Sequence, residues 1–292
     1  MSIWDDVASS IKVATHRPFT VGKFSAIGGG SINKAYRVEG TDGTNYFLKI
    51  NESRHYPMLV AETAGLKAIS ATSTLRVPKP LVDGVSGEKC YLVLEYLELS
   101  TNGNGKLLGE QLAGLHHNQS NRFGFTQDNF IGTTPQPNTW KDNWIDFWRE
   151  NRLGFQLSLA AQNGFGAQLQ SLGEKLMDLL PVFFADYTPQ PSLLHGDLWS
   201  GNHAFLLDGI PTTFDPAVYY GDRECDIAMT ELFGGYSADF YSAYRAFYPM
   251  DAGYAARKNL YNLYHILNHA NLFGGGYARQ SEQMMQRLLA ET

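Results

Sequence analysis

The stretch LLHGDLWSGN, residues 193–202, follows an apolar pair with a histidine, an aspartate, a tryptophan and an asparagine set among two glycines. Asp197 and Asn202 stand five positions apart. A carboxylate can take a proton from a hydroxyl or hold a cation, whereas a neutral amide oxygen can only hold. A single Asp beside glycine is ordinarily a turn or cap residue. What surrounds the pair decides its reading.

Before it, Ile3, Trp4, Val7 and Ile11 recur at helical spacing and predict a first helix. KFSAIGGGSINKAYRVEG (23–40) reads as strand, glycine turn and strand, and TNYFLKI (44–50) as another strand. Leu59, Ala61, Ala64, Leu66, Ala68 and Ile69 suit a packed helix over 58–70, which RVPKPLVDG (76–84) breaks. EKCYLVLEYLEL (88–99) supplies one more strand, so residues 15–97 predict a small antiparallel sheet with one long helix. STNGNG (100–105) is the best linker. Helical patterns follow in Leu107, Leu108, Leu112 and Leu115, in the Trp-rich 139–160, and in Leu169, Leu172, Leu176 and Leu179. HAFLLDGIPTTFDP (203–216) reads as a hairpin about Asp208 and Gly209, and from Cys225 onward the pattern is helical.

Composition narrows the field. The 29 acidic residues exceed the 23 basic ones, so a nucleic acid or an anionic membrane is not an expected partner. No run of 18 apolar residues predicts a membrane span. Cys90 and Cys225 are too few for a disulfide framework and lack metal-ligand spacing, which points to a reducing, cytoplasmic setting.

A sheet-plus-helix segment, a linker and a helical segment carrying a polar hairpin form the layout of two-lobed phosphotransferases. Transfer of a phosphoryl group from ATP needs a cradle for the phosphates, a cation on them, oxygen ligands for Mg2+, and a carboxylate beside the attacking hydroxyl. Gly28, Gly29 and Gly30 sit between two predicted strands, where backbone must approach phosphate closely. Lys49 ends an apolar strand, and Glu62 on the next helix suits an ion pair with it. Asp197 and Asn202 reproduce the H-x-D-x-x-x-x-N spacing of a kinase catalytic loop, with Asp197 as base and Asn202 as metal ligand. Asp215, eighteen residues further on, stands where kinases place a metal-binding carboxylate. Singly these residues are ordinary; as an ordered set they predict a kinase. The expected fold class is α+β, a two-lobed protein-kinase-like fold with a nucleotide-binding lobe over 1–97 and a helical catalytic and substrate lobe over 98–292.

HGDLWSGN, together with FDPAVYYGDRECDIAMTEL (214–232), GGGSINKAYRV (28–38) and FGFTQDNFIGTTPQPNTW (123–140), resembles the fructosamine kinase (ketosamine kinase) family. That family lies in the aminoglycoside- and choline-kinase-like branch of the kinase fold, and the resemblance runs from about Ala26 to Leu289. It implies an ATP- and Mg2+-dependent enzyme, monomer or homodimer, that phosphorylates a sugar hydroxyl of free or protein-bound ketoamines and so repairs early glycation. It also implies that Glu95, Tyr96 and Leu97 form the adenine-binding hinge and that Asp226 braces the catalytic loop. Trp199 would shape the sugar pocket, with Tyr219, Asp222 and Glu224 on its rim. Two other readings stay open from the residues alone: a kinase for another hydroxylated amine, of aminoglycoside or choline type, and a nucleotide-binding pseudokinase.

Other features read as structure. His265 and His269 lie one helical turn apart without a third ligand, His116 and His117 suit a helix C-terminus, and Trp140, Trp144, Phe147 and Trp148 are spaced as a buried helix face.

Overall fold

In the computed structural model of the chain, residues 2–28 and 32–291 are described. They divide into two compact units, Met1–Asn104 with Ala204–Asp215, and Gly105–His203 with Pro216–Thr292. The first unit therefore takes in residues beyond 1–97, because its second, smaller sheet borrows strands from a later part of the chain.

The first unit opens with α1 (Ile3–Thr15), started by a capping box between Ser2 and Asp5. The chain then lays down β1 (Val21–Ile27), β2 (Lys34–Gly40), β3 (Asn45–Glu52), α2 (Tyr56–Ala71), β4 (Pro80–Ser86), β5 (Lys89–Glu95) and β6 (Leu99–Ser100). The main sheet is antiparallel, in the order β1-β2-β3-β5-β4. Val7 and Ile11 of α1 pack on Val38, Leu48, Tyr91 and Val93 from the strands. RVPKPLVDG, expected to be only a break, supplies β4. That strand lies at the sheet edge and begins at Pro80, where a missing N–H leaves no interior ladder position unfilled. The smaller sheet joins β6 to β10 (His203–Leu206) and β11 (Pro211–Thr213), the expected hairpin.

The second unit is built on helices: α3 (Gly105–His116), α4 (Trp144–Trp148), α5 (Phe155–Gln162), α6 (Ala167–Leu179), α7 (Glu224–Leu232), α8 (Ala238–Phe247), α9 (Tyr254–Phe273) and α10 (Gly276–Ala290). Two short ribbons accompany them, β7 (Asn129–Ile131) with β8 (Thr134–Gln136), and β9 (Ser192–Leu194) with β12 (Tyr219–Gly221). Trp144, Phe147 and Trp148 are buried as expected, whereas Trp140 precedes α4 and is only half-buried. A π-helical turn over Arg149–Gly154 separates α4 from α5 and carries Arg152, which is fully buried. Its guanidinium lies over the rings of Tyr219 (4.0 Å) and Phe147 (4.6 Å) and donates to Pro137 O (2.6 Å) and Asn138 Oδ1 (2.8 Å). Cys90 and Cys225 are both buried free thiols, the first within β5 and the second within α7.

Packing of α3 on α8 sets a steric limit. A Cβ on Gly109 would stand 2.3 Å from Phe240 O and 3.0 Å from Tyr244 N, so only glycine lets the two backbones meet. Overpacking a well-filled site costs about 1–3 kcal/mol. Gly109→Ala is expected to lower the melting temperature by roughly 2–10 °C for a unit of this size, read by calorimetry; an unchanged transition would mean the helices part without strain.

Candidate active site

In the first unit, the register of β3 between β2 and β5 sets Lys49 opposite Ala35 and Leu92. Lys49 is 7% exposed. Its Nζ donates to Glu62 Oε1 at 2.7 Å, so the predicted pair is formed, and it also contacts Asp215 Oδ1. Burial works to lower the Lys49 pKa, but the carboxylates of Asp215 and Glu62 more than offset it and hold the ammonium firmly charged. Burial pushes Glu62 up to about 6, against the pull of Lys49.

Asp215 follows β11 with φ +57°, a left-handed backbone that Asp tolerates better than most residues. Its side chain is half-exposed. Of the expected glycine cradle, Gly28 follows β1, with open space where its Cβ would be, while Gly29 and Gly30 lie outside the described residues. On the returning side of the turn, Asn51 Nδ2 donates to Asn33 Oδ1 at 2.7 Å. Glu95, Tyr96 and Leu97 come at and just past the end of β5. The Glu95 carboxylate takes bonds from Arg76 (2.5 Å) and from the Lys79 N–H (3.2 Å), and Arg37 lies 4.9 Å from the Tyr96 ring centre.

In the second unit, β9 runs straight into His195, Gly196 and Asp197. Gly196 has φ +83°, and a Cβ there would stand 2.0 Å from Ala217 O, so the turn admits only glycine. The fully buried Asp226 of α7 accepts the His195 N–H (2.7 Å) on Oδ2 and the Gly196 N–H (2.8 Å) on Oδ1. That is the bracing expected from the resemblance. Burial works to raise the Asp226 pKa, yet the bond from His116, the two nearby imidazoles and the Gly196 amide together outweigh it and the carboxyl stays below its ordinary range.

Asp197 keeps a partly exposed carboxylate. Asn202 Nδ2 donates to Asp197 O (2.8 Å) and Oδ2 (3.2 Å), which leaves Asn202 Oδ1 as that side chain's available oxygen. Trp199 is 39% exposed, its ring lying over Gly201, where a Cβ would stand 2.2 Å from the indole. The Tyr236 hydroxyl donates to Trp199 O at 3.2 Å, and Ser200 Oγ donates to Phe233 O at 2.8 Å, so the loop is pinned to the end of α7 and beyond.

Three expected rim residues turn inward instead. Tyr219 is buried against Phe147 and Arg152. Asp222 accepts from Tyr187 (2.9 Å) and Tyr261 (2.5 Å), and Glu224 holds Arg257 bidentately at 2.7 and 3.1 Å. Buried charges need such partners, so these side chains hold the unit together, and sugar contact is not assigned to them. His116 ends α3 as expected, and it is fully buried there between Tyr244 and Asp226. Burial lowers its pKa, which keeps the ring neutral, with Nε2–H donating to Asp226 and Nδ1 accepting from Tyr244.

Within the 123–140 stretch that carries the resemblance, polar side chains are braces. Asn129 Nδ2 donates to Val218 O (2.7 Å), Gln136 Nε2 to Asn129 Oδ1 (2.7 Å) and Ala217 O (3.1 Å), and Tyr264 bonds Gln136 in turn (2.8 Å). The paired amide pattern N-x₆-Q was the available signal for a buried network.

Asn202 in the second unit and Asp215 in the first each carry a hard oxygen donor of the kind a magnesium-like cation takes, one or two from protein and the rest from phosphate and water. Among the described residues no group of three or more His, Cys, Asp or Glu forms a metal cage.

The family model for fructosamine kinase matches residues 3–291. A probable ketoamine kinase of Synechocystis is 47% identical over 98% of this chain and 97% of its own length. A crystal structure from Haemophilus somnus assigned as a fructosamine-3-kinase superposes with TM-score 0.89 at 29% identity, covering 98% of this chain and 97% of the other. An aminoglycoside phosphotransferase at 15% identity shares the kinase-like fold, with TM-score 0.64 over 99% of this chain and 98% of the other.

The Lys49–Glu62 pair can be tested by titration. A folded carboxyl raised from 4.5 to about 6 binds a proton that the unfolded chain has released, so its contribution to stability falls as pH rises through that window. Carboxyl-carbon NMR, with Glu62 identified by Glu62→Gln, should show a midpoint near 6. Lys49→Met should move the midpoint higher still, because burial then acts unopposed. A fall would mean the pair is not what sets it.

Proposed function

Because this chain belongs to the fructosamine kinase family, we propose that it is an ATP-dependent kinase that phosphorylates a sugar hydroxyl of ketoamines, and so serves in repair of glycation. The observation that carries the reading is the braced turn at His195–Asp197, which fixes a partly exposed carboxylate next to Asn202.

Asp197 is assigned as the acceptor-side base. It orients the sugar hydroxyl and takes its proton as the oxygen bonds to the γ-phosphorus, while the bond from that phosphorus to the bridging oxygen breaks and ADP leaves. Lys49, held by Glu62, offers a positive charge to the phosphates, and Gly28 begins the backbone that would lie along them. Glu95, Tyr96 and Leu97 are assigned to the adenine. Asn202 Oδ1 and the Asp215 carboxylate would hold Mg2+, which when bound offsets the negative charge of the phosphates. Trp199 is assigned to the apolar face of the sugar. The two buried free thiols suit a reducing cytoplasm.

Incubation with magnesium ATP and a panel of ketoamines, aminoglycosides and choline should give a mass gain of about 80 daltons, one phosphoryl group, on the ketoamines. Phosphate on an aminoglycoside or choline instead would overturn the assignment. Asp197→Asn is expected to lower turnover by about a hundred- to ten-thousandfold with nucleotide affinity nearly intact; near-native turnover would remove Asp197 from this role. Trp199→Ala should raise KM for a protonated ketoamine by roughly two- to thirtyfold, the range of an aromatic–cation contact. A lower melting temperature with unchanged ketoamine kinetics would make Trp199 a packing residue.

A further inference from the structure

A cavity of about 200 Å³ lies within the second unit, walled by Tyr187, Thr188, Gln190, Ser192, Arg223 and Tyr248. None of these has been given a part in phosphoryl transfer. The volume falls below the ~300–1,000 Å³ usual for drug-sized ligands, so the space suits a compact group of a few heavy atoms.

Two of its walls are unfinished. Ser192 is fully buried at the start of β9, and its hydroxyl has no hydrogen-bond partner. Buried donors are ordinarily satisfied by protein, water or ligand. Arg223, 6% exposed, precedes α7. Its guanidinium donates to the Tyr244 hydroxyl (3.1 Å), the Tyr248 carbonyl (3.2 Å) and the Pro249 carbonyl, touches Met250 Sδ (3.4 Å), and stacks 3.7 Å from the Tyr248 ring centre. All of these acceptors are neutral. The adjacent carboxylates are engaged elsewhere, Asp222 with Tyr187 and Tyr261 and Glu224 with Arg257. The groups that the guanidinium hydrogen-bonds are thus all neutral, the Glu224 carboxylate that feels its charge is already engaged by Arg257, and the unpartnered Ser192 hydroxyl lines the same cavity.

The same guanidinium begins a buried chain of bonds that ends on the Asp197 loop. Arg223 donates to Tyr244, Tyr244 to His116 Nδ1 (2.7 Å), and His116 Nε2 to Asp226 Oδ2 (3.1 Å), while Asp226 holds the His195 and Gly196 amides. Ser192 provides a second route, since β9 leads directly into His195.

We propose that this cavity binds a small oxyanion, a carboxylate or phosphate group held by Arg223 and Ser192, and that occupancy tightens the loop carrying Asp197. The binding stands on the cavity alone; the effect on the loop rests on the assignment of Asp197 as base.

The test uses the full chain with inorganic phosphate and with acetate as probes, at constant ionic strength set by chloride. Calorimetric titration should detect binding, and amide exchange at His195 and Gly196 should slow on saturation. Ser192→Ala removes a hydroxyl that has no partner, so its melting temperature without anion should match the native chain, while probe affinity falls roughly five- to tenfold. Arg223→Lys keeps the charge but loses the planar fork and should weaken binding by at least about tenfold. Binding of one probe alone identifies which oxyanion the site takes. If neither probe binds the native chain, or if both variants bind as tightly as it does, there is no such site. Binding without slower exchange overturns the link to the loop, whatever the outcome of the kinase assays.

Discussion

A single buried carboxylate organises the catalytic turn. Asp226 is 1% exposed, a position where an unpaired charge would be strongly disfavoured. It is stabilised there by three donors that converge on it, the amides of His195 and Gly196 and the imidazole of His116. Each donor depends on the carboxylate as much as the carboxylate depends on them. Without it, two consecutive amides at a turn in left-handed backbone would be buried with no acceptor. Asp197 follows at once, so the braced main chain sets its position, and the bond from Asn202 adds to that.

A second buried network supports the chain that follows Asp215. Asn129 and Gln136 hold the carbonyls of Ala217 and Val218, and Ala217 O closes on Gly196. The turn that carries Asp197 and the segment after Asp215 are therefore fastened to each other.

How far the sequence revealed these relations depended on their range. Lys49 and Glu62 were legible because strand and helix periodicity fix which way each points, and their pairing needs only one neighbouring element. The spacing of Asp197 and Asn202 was legible because both belong to one turn. The strand at Pro80–Ser86 was hidden by its prolines, which signal a break unless the strand is known to lie at an edge. Glu224 was expected on the rim of the sugar pocket; its burial is set by Arg257, thirty-three residues later, which no local pattern announces. The helix end at His116 was legible, but its burial and partners were not, since those partners lie 110 and 128 residues away.

The placement of the two cysteines has a practical side. Cys90 lies in the central part of the first unit's sheet and Cys225 in the second unit's helix α7, both shielded from solvent and neither bonded to the other. Burial also raises both thiol pKa values, which leaves little of the reactive thiolate while the fold is closed. Each unit therefore carries its own chemical clock: the rate at which an added thiol reagent modifies one cysteine or the other reports how often the fold around that thiol opens.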